Sequence, residues 1–218
     1  MKKLLYTIII LTIALSSCNN QTTKSGKIKT EAYRPVEIVV DNPTVIELND
    51  STKEALFTRA KWLAKQIKFA YKEELHKVVT EQGMLEAIGF CNERAMEISD
   101  SLSVVHQINI KRAALKNRNP LNAMTEKETK IYKDFVIGWL NKAPMKGRIM
   151  ANELNQPVYY NVIMMQRFCL KCHGNSEEVN PEVAQKIKEL YPIDRATDFT
   201  IMQPRGMWAI TFPEYSVK

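Results

Sequence analysis

The chain has 218 residues, 45% of them hydrophobic, and is long enough to bury one sizeable core. Its formal net charge is +7, but the basic residues are spread along the chain without a dense run or a basic-aromatic stripe. The composition therefore favours a solvated basic surface, suited to anionic lipid or an acidic partner, over a nucleic-acid interface.

Residues 1–17 have the features of a lipoprotein signal peptide. Lys2 and Lys3 precede an apolar run over residues 4–15, and Leu15-Ser16-Ser17-Cys18 resembles a bacterial lipobox. The run is too short to span a bilayer comfortably. We expect acylation of Cys18, the alternative being a plain signal peptide with an incidental cysteine. Asn19, by resemblance to other lipoproteins of diderm bacteria, favours an outer-membrane, periplasm-facing location.

The remaining chain divides into a polar tether over residues 18–50 and one domain over residues 51–218. Ser51 and Glu54 form a capping box that predicts the start of a long amphipathic helix. A second helix is predicted from about Thr80 to Leu102, with Cys91 in the middle of its apolar stripe.

The second half of the domain has a more β-rich pattern. Residues 104–115 and 150–168 predict strands, and residues 199–212 predict a final hairpin that turns at 203–206. Two helices are predicted between them, one from a capping box at Thr125 and Glu128 and one from Pro181 to Leu190. Helices followed by antiparallel strands predict an α+β fold.

One pentapeptide carries the chemistry, Cys169-Leu170-Lys171-Cys172-His173. Cys-x-x-Cys-His is the attachment signature of a c-type haem: the two thiols join one edge of the porphyrin, and the histidine is placed to bind the iron. A thioredoxin-like pair would need a βαβ context, and a zinc site would need a second ligand pair at short spacing. We find neither pattern in the sequence.

Several residues are candidates for the other side of the iron. A lone cysteine such as Cys91 on an apolar helix face is more often a small core residue than a ligand. His106 could reach a pocket from its predicted strand, whereas His76 lies in a charged stretch typical of an exposed helix surface. Met164 and Met165 are close in sequence to the haem motif, although methionines on apolar faces usually serve packing.

Three basic residues flank the predicted loop over residues 116–122. Arg112, Lys116 and Arg118 could pair with the haem propionates, because arginine binds carboxylates through two hydrogen bonds. The alternative is a solvated loop whose turn is set by Asn119 and Pro120.

From Gln82 to Phe212 the chain resembles the PAS-like c-haem sensor domain, long catalogued as a domain of unknown function, which occurs alone and in bacterial histidine kinases. The matching stretches are 87–91 with Ala95, 116–120 with Asn122, 169–174, 191–196 and 205–206. The resemblance implies long N-terminal helices followed by a PAS-like antiparallel sheet, and one covalently bound haem with His173 and Cys91 as axial ligands.

The resemblance also implies a function in redox or small-ligand sensing, with a diatomic such as NO or CO as a candidate signal. A sensor without its own kinase domain needs a redox or signalling partner protein. The alternatives are a simple electron carrier and, less favoured, a peroxidase with His106 as acid-base residue. No hydrolytic triad or paired carboxylate motif is visible, and we do not predict an enzyme.

Overall fold

The computed structural model describes residues 34–218, without the side chains of Asn92 and Glu93. The predicted signal peptide and Cys18 lie outside the described residues. The described elements, in chain order, are β1 (Thr44–Ile46), α1 (Asp50–Gln82), α2 (Met84–His106), β2 (Asn109–Ala113), α3 (Glu126–Leu140), β3 (Arg148–Ala151), β4 (Pro157–Met164), α4 (Leu170–His173), α5 (Pro181–Leu190), β5 (Pro204–Thr211) and β6 (Tyr215–Val217).

Helices α1 and α2 are separated by a single residue. The cap of α1 is Asn49, whose side chain accepts a hydrogen bond from the Thr52 amide at 3.0 Å. The predicted capping box at Ser51 is therefore wrong by two positions. The helix starts earlier because the side-chain oxygen of Asn49 caps it. The break at Gly83 has φ +92°, a conformation that costs glycine little, and α2 consequently starts at Met84 rather than near Thr80.

The main sheet has four antiparallel strands in the order β2-β5-β4-β3. One face, with Tyr159, Trp208 and Ile210, packs on apolar residues of α1 such as Leu63 and Ile67. The opposite face carries a second cluster built on α3. A mixed fold of helices and an antiparallel sheet is therefore confirmed.

Two strand predictions needed correction. Helix α2 continues to His106 and ends at Gln107, which adopts a left-handed conformation, so β2 starts only at Asn109. The predicted hairpin over residues 199–212 is wrong, because β5 is one continuous strand that pairs with β2 and β4. The turn precedes this strand, with Met202 at φ +63°. A central strand takes both partners from distant sequence, which local turn residues do not reveal.

Two predicted helix starts are confirmed. Thr125 and Glu128 form a reciprocal capping box at the start of α3. The side chain of Asn180 caps α5, whose first residue is Pro181.

The last part of the predicted tether is packed on the domain. Strand β1 pairs in parallel with β6, and the backbone of Ile38 exchanges two hydrogen bonds with the Asn109 side chain. No helix among residues 34–218 is long and apolar enough to cross a membrane.

Candidate functional site

The predicted haem-attachment segment forms a tight helical turn. Cys169 ends a 3₁₀ turn that continues into α4, and both motif cysteines are free thiols. Three-residue spacing places Cys169 and Cys172 on the same side of the turn. Leu170 anchors the segment, because its buried side chain packs with Met165 and Phe199.

His173 is held in one orientation. Its Nδ1 atom lies 2.8 Å from the carbonyl oxygen of Ala196, and its ring packs edge-on against Phe199. Burial and the nearby charges of Arg118 and Arg205 lower the pKa of His173 well below its usual range. The ring is therefore neutral near pH 7, and because Nδ1–H donates to the carbonyl, the lone pair is on Nε2.

The carbonyl that orients His173 is itself fixed by a buried ion pair. Asp194 accepts hydrogen bonds from Arg118 Nε at 3.1 Å and from the Ala196 amide at 2.8 Å. Arg118 Nη2 also donates to the carbonyl oxygens of Cys172, at 2.7 Å, and Ala196, at 3.3 Å. Arg118 therefore ties the attachment turn to the loop that follows α5, which is a different use from the predicted propionate contact.

Cys91 is on the face of α2 that points toward this segment. The sulfur atoms of Met84 and Cys172 lie 3.9 Å apart, and Ile88 packs on Tyr191 and α5. Cys91 follows Ile88 by three residues, one turn along the same face. The attachment turn and Cys91 are therefore neighbours in the fold.

The Cys91 side chain is exposed to solvent rather than packed in the core. It is accessible to solvent, although surrounding protein atoms are close enough for burial to raise its pKa, against the lowering effect of Arg112 and Arg118. The prediction of a middle position in an apolar stripe is thus only partly right: Ala87, Ile88 and Ala95 are buried, whereas Cys91 is open on one side. An accessible thiol in dense surroundings can receive a ligand without displacing core side chains.

The other two predicted basic residues are placed differently. The guanidinium of Arg112 lies over the rings of Tyr71 and Trp208, at 5.2 and 5.6 Å from their centroids. Lys116 donates a hydrogen bond to the Thr197 carbonyl and lies 4.7 Å from the centre of the Phe199 ring.

Arg205 is a further residue of this site that the sequence pattern did not indicate. Arg205 is 9% exposed, and its Nη1 donates to the Lys116 carbonyl at 2.8 Å. Burial, together with the charges of Arg112 and Arg118, lowers its pKa to about 9, so it remains a cation at neutral pH. The only sequence signal was the Arg205-Gly206 stretch within the family resemblance.

The other candidate iron ligands do not share the position of Cys91 beside the attachment turn. His106 ends α2, about 22 Å along the helix from Cys91 at 1.5 Å per residue, and its ring packs edge-on against Trp62. His76 is exposed on α1, Met165 is buried in the cluster around Leu170, and Met164 packs on the second core cluster. No group of three or more His, Cys, Asp or Glu in residues 34–218 could hold a metal ion.

The chain matches the Tll0287-like family, described as Tll0287, over residues 30–213, and it belongs to this family. The resemblance recognised in the sequence is therefore confirmed. Among solved structures the chain is similar to the crystal structure of the cyanobacterial haem protein Tll0287. The two are 24% identical with a TM-score of 0.48, and the match covers 66% of this chain and 97% of that one. No curated protein matches the chain.

Proposed function

We propose that this protein is a monohaem c-type haem protein in which Cys169 and Cys172 hold the cofactor covalently and His173 is an iron ligand. One observation carries the proposal: His173 is neutral, partly buried and held through Nδ1, which leaves Nε2 as the atom for a metal. The motif spacing and two free thiols on one side of a turn support the same conclusion. The Tll0287 neighbour is itself a haem protein.

Covalent attachment needs only the atoms of the cysteine thiols and of the haem vinyl groups. Cys169 and Cys172 would each hold the haem by a thioether bond, formed by addition of S–H across one vinyl C=C bond with no leaving group and no net oxidation. Burial raises the pKa of Cys172 to about 11, so this sulfur is a neutral thiol before attachment.

Cys91 is our proposed second axial ligand. Its helix face is shared with Met84 and Ile88, both of which contact the region of Cys172 and α5. Burial raises the pKa of the Cys91 thiol, and the nearby cations Arg112 and Arg118 oppose part of that rise, so the thiolate that a metal ligand requires would depend on coordination to the iron. When bound, the haem supplies an iron that changes oxidation state and can accept a small molecule such as NO or CO.

We propose redox or small-ligand sensing as the function. A ligand on α2 ties the iron to a long helix, and α2 packs against α1 along much of its length. Release of Cys91 would free the start of α2 to shift, and a partner protein would read that shift. The alternative of a permanent electron carrier requires Cys91 or another side chain to stay bound in both oxidation states. The separation of His106 from Cys91 argues against the peroxidase alternative.

The proposed location is the periplasmic side of the outer membrane, with acylated Cys18 as the lipid anchor. A cysteine that carries several acyl chains holds a protein firmly on a bilayer. The packed domain starts near residue 35, which leaves a short connection to the membrane.

Covalent attachment is tested by the Cys169→Ala, Cys172→Ala double variant. It should lose the haem-stained band on a denaturing gel when it is expressed with the periplasmic c-haem maturation machinery. Cys91→Ala is the matched control, because it removes one thiol from the same region and should keep the stain. Staining retained in the double variant would refute the proposal.

The Cys91→Ala protein also tests the axial ligand. Loss of a thiolate should raise the reduction potential and shift the ferric spectrum toward high spin, and carbon monoxide should bind the ferrous variant faster. If Cys91 serves only packing, its loss should cost roughly 1–2 kcal/mol of stability and leave the spectrum unchanged. An unchanged spectrum and potential would favour the electron-carrier alternative with another ligand.

A further inference from the structure

Three guanidinium groups lie close together beside His173. Arg205 and His173 both lie against the Phe199 ring, and Arg118 donates to the carbonyl oxygens of Cys172 and Ala196. The charges of Arg112 and Arg118 also help to lower the pKa of Arg205. Asp194 is the carboxylate in direct contact with this group, and it is paired with Arg118. Lys116 lies over the same Phe199 ring as Arg205, so the cations here outnumber this carboxylate.

Arg205 is the least satisfied of the three. Its Nη1 reaches the Lys116 carbonyl and its guanidinium lies 5.1 Å from the centre of the Phe199 ring, but Nε is buried without a hydrogen-bond partner. A buried donor on a charged group without an acceptor costs on the order of 1–3 kcal/mol or more. A native fold keeps such a group when a ligand supplies the acceptor.

Arg112 has a similar position on the neighbouring strand. It lies opposite Trp208 in the β2–β5 register, and its guanidinium is held between the Trp208 and Tyr71 rings. The Trp208 Nε1 atom is a second buried donor without a partner. Tyr71 hydrogen-bonds to the Ala95 carbonyl and Ser99, which holds the stack against α2.

We propose that Arg205 and Arg112, and not Arg118, receive the two propionate carboxylates of the haem. This inference rests on the proposed haem function and identifies the residues that recognise the acidic edge of the cofactor. Two propionates carry two negative charges, which would offset part of the excess of cations around Phe199. Arginine binds a carboxylate through paired hydrogen bonds, and burial strengthens such pairs. Arg118 is set aside because its Nε and Nη2 atoms are already engaged by Asp194 and by two backbone carbonyls.

The experiment separates carboxylate recognition from haem binding. The full chain with Cys169→Ala and Cys172→Ala is titrated with ferric protoporphyrin IX and with its dimethyl ester, in which both propionates are neutral. Adding Arg205→Gln should weaken protoporphyrin IX binding by roughly 10- to 150-fold, the range for a hydrogen bond to a charged group, while ester affinity changes little. Arg112→Gln should act in the same direction.

Two control variants accompany this measurement. Arg195→Gln is the same substitution at an exposed arginine ten residues earlier and should leave both affinities unchanged. Arg205→Lys retains the cation and should recover part of the preference for the acid. Equal weakening of acid and ester by Arg205→Gln would assign Arg205 a purely structural role and overturn the inference. Unchanged affinities for both porphyrins would overturn it as well, because Arg205 would then not contact the propionates.

The covalently loaded protein provides a second measurement should the cysteine-free chain bind neither porphyrin. Arg205→Gln should shift the propionate bending band in the resonance Raman spectrum, and Arg195→Gln should not. The absence of that shift in a haem-stained protein would refute the propionate assignment alone. The absence of haem stain in the parent protein would instead refute the proposed function.

Discussion

The ion pair between Arg118 and Asp194 supports both the fold and the orientation of His173. The substitution Asp194→Ala tests this role. The two side chains are 10% and 9% exposed, and Asp194 accepts from both the guanidinium and the Ala196 amide. Its removal leaves a buried cation and frees the loop whose carbonyl oxygen orients His173. We therefore expect a loss of folding stability, and we expect the His173 ring to be held less firmly in its orientation.

The magnitude follows from the burial of the pair. Removing one partner of a buried ion pair costs about 3–5 kcal/mol, because the other charge is left uncompensated. Arg118 keeps the carbonyl oxygens of Cys172 and Ala196 as acceptors, so we expect the lower end, about 3 kcal/mol. For a chain of this size, that corresponds to a fall in Tm of about 6–12 °C.

The assay is urea and thermal unfolding of the haem-loaded protein, followed by circular dichroism. Asp134→Ala is the matched control, because Asp134 pairs with Arg148 on the surface, with side chains 60% and 43% exposed. Such a pair contributes at most about 1 kcal/mol. Combining Asp194→Ala with Arg118→Met should cost less than the two separate losses added together, since no charge is left buried alone. A loss for Asp194→Ala no greater than that for Asp134→Ala would refute the reasoning.

Three further predictions concern other parts of the chain. Gly206→Ala should destabilise the sheet by roughly 1–3 kcal/mol in urea unfolding, because the added Cβ would lie 2.5 Å from the Ala113 carbonyl oxygen; an unchanged urea midpoint would contradict this. Burial raises the pKa of Tyr132 from its ordinary value near 10 to about 12, so the stability that it contributes below pH 10 should be lost as the pH rises toward 12. Urea midpoints measured across that range should fall less steeply for Tyr132→Phe than for the parent, and parallel curves would rule out this contribution. Cys18→Ser should move the protein from the membrane fraction to the soluble fraction, and acyl label that still enters the variant would show that Cys18 is not the lipid site.

The motif at Cys169–His173 and the helix starts at Thr125 and Asn180 could be predicted from the sequence. Each depends on interactions within about four residues, where spacing alone determines which groups can meet. The α+β class was predictable for a similar reason, because hydrophobic period is a local property. The start of α1 was misplaced because Asn49 and Ser51 are both good caps, and the choice between them depends on the packing of the whole helix.

The position of β5 could not be predicted from local pattern. Its residues carry a turn-like Pro204-Arg205-Gly206 start, yet the strand lies between β2 and β4, whose paired residues are 40 to 102 positions away in the sequence. Loop closure over such distances is decided by the burial of the complete core, not by the residues at the turn.

The sequence by itself determined which residues can attach a haem: two thiols and a histidine at fixed spacing. Only the tertiary structure decided how the basic residues are used. It commits Arg118 to Asp194 and leaves the buried Nε of Arg205 without an acceptor. The reason is physical: a covalent motif depends on neighbours in sequence, whereas the charge balance of a buried site depends on side chains that the fold brings together from β2, β5 and the loop after α5.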